Sequence, residues 1–134
     1  MNREILFKAK DREDGEWIEG LLSKCDNQYV ICDDSGTGIF IDENTICQYT
    51  GLTTKYGDKI WENDIVNVRV TENAGFSTRK YEDTYQVTYH NEYCYFYLKK
   101  KKNNLLFDGN WSYFTTVLDV VGNIFDNPEL VKGE

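Results

Sequence analysis

Gln48-Tyr49-Thr50-Gly51-Leu52-Thr53-Thr54-Lys55-Tyr56-Gly57-Asp58-Lys59-Ile60-Trp61-Glu62-Asn63-Asp64-Ile65-Val66 is the stretch on which the reading of this chain turns. Gly57-Asp58 lies between two arms, Thr54-Lys55-Tyr56 and Lys59-Ile60-Trp61. Glycine supplies the positive φ that a tight hairpin needs. Glu62-Asn63-Asp64 reads as a second turn that opens directly into Ile65-Val66-Asn67-Val68-Arg69-Val70. There Val66, Val68 and Val70 share one face, and Asn67 and Arg69 the other. Gly57 and Asn63 are the positions where positive φ is expected, because asparagine also tolerates left-handed backbone.

Outward from this connector the pattern is β on both sides. Before it, Glu4–Ala9, Trp17–Leu22, Gln28–Cys32 and Ile39–Ile41 read as strands. They are separated by turns at Asp11–Gly15, Asp26-Asn27 and Asp33–Gly38, so residues 1–50 form a small meander. After it, Thr71–Lys80 is polar and reads as an exposed loop. Thr84–His90 alternates cleanly, with Tyr85, Val87 and Tyr89 on one face and Gln86, Thr88 and His90 on the other. Tyr93–Leu98 is apolar or aromatic on both faces and is expected to be covered on both. Asn103-Asn104 suits a hairpin tip returning through Leu105-Leu106-Phe107, and Leu118–Phe125 is the last strand, with Gly122 at a bulge. Asn127-Pro128-Glu129-Leu130 predicts one N-capped helical turn. The expectation is an all-β chain: a small SH3-like or related β-barrel with an N-terminal β-meander and at most one short C-terminal helical turn. Residues 1–134 suit a single domain, with possible lobes at 1–52 and 53–134.

Composition narrows the function classes. Aromatics make up 15% of 134 residues, which marks a folded protein rather than a disordered one. No apolar run reaches a membrane span, and Met1–Ile5 shows no signal-peptide core, so no membrane contact and a cytoplasmic location are expected. Twenty-three acids against fifteen bases give a net charge of −8, which repels a phosphate backbone and suits a basic protein partner, or mimicry of nucleic acid toward one. Cys25, Cys32, Cys47 and Cys94 form no CxxC pair and His90 is the only histidine, so no metal site and no cofactor are expected. Gly36-Thr37-Gly38 leads into a strand and lacks the helix N-terminus that holds phosphate. No base is placed near a nucleophile, and the carboxylates sit mostly in turns, so no catalytic residue is assigned.

Three blocks carry a family resemblance: Arg3–Ala9, the connector from Gln48 to Val66, and Val121-Gly122-Asn123-Ile124-Phe125-Asp126-Asn127-Pro128-Glu129-Leu130. In this order, end to end, the chain resembles the YopX family of phage and prophage proteins. It departs at Asn63, where that family usually has glycine. The resemblance implies a mostly-β, phage- or prophage-encoded protein acting inside a bacterial cell, and brings no catalytic residues with it.

Two functional expectations follow. The first is a non-catalytic protein-interaction module, a homo-oligomer or bound to a host or phage protein, with Trp17, Trp61, Trp111 and Tyr113 as contact residues. The alternative is a nucleic-acid-binding barrel, disfavoured by net charge, that stacks bases on Tyr93, Tyr95 and Tyr97 beside Lys99, Lys100, Lys101 and Lys102.

Overall fold

Among the described residues eleven strands divide between two antiparallel sheets. A computed structural model describes residues 4–100, 105–106 and 115–131. Two compact units are separated between Gly51 and Leu52.

The first unit contains β1 (Phe7–Lys10), β2 (Trp17–Cys25), β3 (Gln28–Cys32), β4 (Gly38–Phe40) and most of β5 (Cys47–Thr53). The sheet order is β4-β3-β2-β1-β5, and β6 (Lys59–Trp61) follows on β5 after that strand has passed Gly51. Asp26 and Asn27, at φ 50° and 65°, make a two-residue turn with both central residues left-handed, the geometry that matches strand twist. It fixes the β2–β3 register from Cys25 opposite Gln28 to Leu21 opposite Cys32. Ala9, Ile31 and Ile41 form the buried centre, with Ile18, Leu22, Tyr29 and Ile46 packed around it. Asp33 holds the β3–β4 turn by accepting from the Ser35 hydroxyl and the Ser35 and Thr37 amides. These bonds lower its carboxyl below the ordinary range.

The second unit contains β6, β7 (Asp64–Ala74), β8 (Ser77–His90), β9 (Tyr95–Lys99), β10 (Leu105–Leu106) and β11 (Thr115–Asn123). The last five form a sheet in the order β10-β9-β8-β7-β11. One face supplies the core: Val66, Val68, Val70, Tyr85, Val87, Leu98 and Val117, joined by Ile60. Each such side chain contributes roughly 1.5–3 kcal/mol by leaving water. A turn of 3₁₀ helix, Pro128–Leu130, ends the described chain.

Five expectations change here. Among the described residues the second sheet is open, with β10 and β11 at its edges, so the all-β class holds but the closed barrel does not. Register shifts between Val117 and Asp119, and again between Val120 and Gly122, bend the β11 edge; such bulges spoil an edge as a template for further pairing. Thr71–Lys80 is not a loop. β7 and β8 continue as a ribbon to Ala74 opposite Ser77, turning at Gly75 (φ 67°) and Phe76. Alternating polar side chains are compatible with such a ribbon, and the Gly75 turn holds its register. β9 begins at Tyr95 rather than Tyr93, because residues 91–94 form a turn in which Cys94 takes φ 57°. Nor is that strand covered on both faces, since Tyr95 is 40% exposed while Leu98 is fully buried. Asn127 does not cap its helix; its side-chain oxygen accepts from the Asn123 amide at 3.2 Å. The tip predicted at Asn103-Asn104, with Phe107, lies outside the described residues.

The connector keeps its reading. Gly57 has φ 93° and Asn63 φ 70°. The Asn63 amide donates to the Val87 carbonyl at 2.7 Å, and the Asn63 carbonyl accepts from Ile124 at 3.1 Å. Asp64, 2% exposed, accepts from the Trp61 amide at 2.8 Å. Asn63→Gly is therefore expected to leave stability within about 0.5 kcal/mol, whereas Asn63→Ala costs about 1–2 kcal/mol, since only the alanine meets the left-handed steric penalty. Urea unfolding of the two variants side by side checks this; equal midpoints would refute it.

Candidate functional site

The cluster with the most unusual chemistry lies where β8 turns into β9. Strand pairing places His90 opposite Tyr95 and Thr88 opposite Tyr97 on the face away from the core. The turn then folds Tyr93 back onto the same rings: its amide donates to His90 Nδ1 at 3.2 Å. His90 becomes the hub, with ring centroids 4.9 Å from Tyr93, 5.3 Å from Tyr95 and 5.9 Å from Tyr97. Tyr93 and Tyr95 run nearly parallel at 6.4 Å, and Tyr97 meets Tyr95 edge-on at 6.2 Å. Such pairs each add about 0.5–1.5 kcal/mol beyond burial. The row is nonetheless open to solvent, with Tyr93 67% exposed.

Alternation puts His90 on the polar face of its strand with Gln86 and Thr88, where exposure to solvent is the expectation. It is half-buried and stacked, because the turn at 91–94 brings a ring down on it that strict alternation would have kept in the next strand. Beneath Tyr97, Thr88 Oγ1 is buried and makes no hydrogen bond. On the opposite side of the hairpin end, a hydrogen bond between Cys94 and the Tyr89 hydroxyl pushes that phenol up, with burial and the nearby Glu62 charge adding to it.

Of the lysines after the row, Lys99 is exposed, and Lys100 forms an ion pair with Asp83 and lies 5.8 Å from the Tyr85 ring centre. Lys101 and Lys102 lie outside the described residues. The Lys100 hydrogen bond and charge hold the Asp83 carboxyl below the ordinary range. A depressed acid stabilises the folded state above its unfolded pKa and loses that contribution as pH falls through its folded value. The Asp83→Asn variant is therefore expected to show a shallower loss of stability below about pH 4 than the parent. The difference is small because the pair is partly exposed. Thermal melts from pH 7 to pH 2.5 measure it; parallel acid limbs would count against it.

The predicted contact residues are scattered. Trp17 lies half-buried on β2 beneath two cations, Lys8 Nζ at 4.6 Å and Lys10 Nζ at 5.4 Å from its ring centre. Trp61 is 4% exposed and belongs to the interior. Trp111 and Tyr113 lie outside the described residues. Sequence reasoning passed over Phe76, which is completely exposed at the tip of the β7–β8 ribbon. Its signal was present as a lone aromatic beside Gly75, inside a segment read as polar. Leu21 is also exposed, on β2.

A cleft of about 600 Å³ in the first unit is lined by Lys10, Asp11, Arg12, Tyr29, Asp42 and Glu43, among others. Several of these polar groups are already engaged within the unit. Asp11 and Asp42 accept from the amides two residues on, and Arg12 donates to Gln28. Among the described residues no three of His, Cys, Asp and Glu gather as metal ligands, and no helix is long and apolar enough to cross a membrane.

Fold and site together describe an all-β, two-unit protein that presents aromatic side chains at hairpin ends. The chain belongs to the YopX family: the family model described as YopX protein matches residues 2–132. It is also similar to the crystal structure of protein EF1440 from Enterococcus faecalis, at 23% identity and a TM-score of 0.57, over 98% of this chain and 100% of that one. That likeness concerns the fold alone. No curated protein matches the chain.

Proposed function

We propose that this chain is a non-catalytic protein-contact module of phage or prophage origin, acting in the bacterial cytoplasm and assembling with copies of itself. The observation that carries this reading is the exposure of Phe76 and Tyr93 on ordered β-hairpins. Exposed aromatics on rigid elements lose little conformational freedom on binding, and they are enriched in interfaces. The row itself has the chemistry of contact rather than catalysis. The Nδ1 of its one imidazole already accepts the Tyr93 amide.

Light scattering across a concentration series tests the assembly. The expected mass is a multiple of the single chain, falling toward one chain in the Phe76→Asp variant with an unchanged melting temperature. A strict monomer at every concentration, with no partner retained, would overturn the reading.

A second reading is favoured by one observation: the tyrosine row runs along β9 directly into Lys99. Single-stranded nucleic acid binds to such aromatic and basic mixtures. It predicts salt-sensitive binding of an oligonucleotide, abolished by Tyr95→Leu. The net charge and the Lys100–Asp83 pair both weigh against it.

A further inference from the structure

We infer that the Tyr93–Tyr95 end of the aromatic row receives an arginine side chain carried on a basic protein segment. This deepens the protein-contact reading and rests on it.

Electron-rich ring faces attract cations, and guanidinium stacks on them best because it is planar and weakly hydrated. The chain already uses this contact on other exposed rings. Arg12 lies over Phe40 at 4.9 Å, and Lys55 over Tyr56 at 5.8 Å. Among the described residues, the rings of Tyr93 and Tyr95 have no such cation, although they are 67% and 40% exposed. His90 packs against both rings and the two rings stack on each other, yet that exposure remains.

Charge selects the same ligand. The chain carries −8 overall, and Glu92 is exposed beside Tyr93 in the same turn. Of the described cations of β9 and its end, Lys99 shares the face of the row but stands at the far end of the strand from Tyr95, and Lys100 is held by Asp83. An incoming guanidinium thus meets tyrosine faces with a carboxylate next to them, where a phosphate would meet that carboxylate.

His90 is the only histidine, so its imidazole resonance reports on the row without overlap. The full chain is titrated with a peptide of alternating glycine and arginine. The same peptide with citrulline for arginine, and a twelve-residue oligothymidylate, are titrated in parallel. The arginine peptide is expected to move the His90 signal and the citrulline peptide to leave it. Tyr93→Leu combined with Tyr95→Leu is expected to weaken binding about tenfold at unchanged net charge, and Glu92→Gln about threefold. Glu82→Gln, the same charge change far along β8 from His90 in the same unit, is expected to weaken it less than about twofold, as for a remote screened charge. Melting curves confirm that each variant is folded. A peptide that binds without moving His90, or equally well to the double variant, would overturn the assignment. So would oligothymidylate moving His90 at lower concentration than the arginine peptide. A strict monomer that retains no partner overturns the contact reading, whereas a silent His90 overturns only the ligand assigned to the row.

Discussion

Leu98→Ala is expected to lower the stability of the second unit by about 3 kcal/mol. Leu98 is fully buried, pairs with Val87, and belongs to the cluster of Val66, Val68, Val70 and Tyr85. Removing three carbons there loses transfer free energy and leaves a hole that the surrounding core closes only in part. The substitution also reaches the candidate site. Side chains on β9 alternate, so Leu98 anchors the strand from below while Tyr95 and Tyr97 stand on its other face. Amide exchange at Val87 and Leu98 is expected to accelerate about a hundredfold, and contacts between the His90 and Tyr95 rings to weaken. Tyr97→Leu, which spares the core, is expected to leave that exchange nearly unchanged. A loss below about 1 kcal/mol for Leu98→Ala would show that the core re-forms around the gap.

Gly20→Ala is expected to destabilise the first unit by a similar amount, about 3 kcal/mol, for the opposite reason: overfilling. A Cβ at residue 20 would stand 2.2 Å from the Cys32 carbonyl oxygen and 2.8 Å from Ile31 Cγ2. The first contact is with backbone, so relief requires moving the strand that pairs Leu21 with Cys32 and Leu22 with Ile31. Ile31 is itself central to that unit's core. By contrast, the 2.5 Å contact that a Cβ at Gly122 would make is with the Asn127 side-chain oxygen, which can swing aside by giving up its bond to the Asn123 amide. Gly122→Ala is therefore expected to cost only about 1 kcal/mol. Guanidinium unfolding of both glycine variants ranks them; a Gly20→Ala midpoint matching the parent would refute the backbone clash.

The two glycines show how far the sequence could be read. Gly122 was recognisable as a bulge because it interrupts a β-branched run before a turn. Gly20 was not recognisable, because its neighbour is a carbonyl on another strand and a carbonyl belongs to any residue type. The same distinction separates the aromatic residues. Tyr93, Tyr95 and Tyr97 were visible as a row, but their hub, His90, was assigned to solvent, because only the Cys94 turn folds Tyr93 onto it. Phe76 was hidden in a polar stretch, where the ribbon's register depends on Gly75 rather than on a hydrophobic face.

By itself the sequence determined the all-β class, the family, the two-residue turn at Asp26-Asn27, and the left-handed positions at Gly57 and Asn63. All of these rest on local rules: side-chain alternation, turn chemistry and steric limits on φ. Only the tertiary structure decided that the second sheet stays open, that Trp61 is interior and Tyr93 exposed, and that Lys100 is taken by Asp83. Those outcomes depend on strand register and on which groups meet across strands, and pairing energy between distant residues leaves no mark in the spacing of either one.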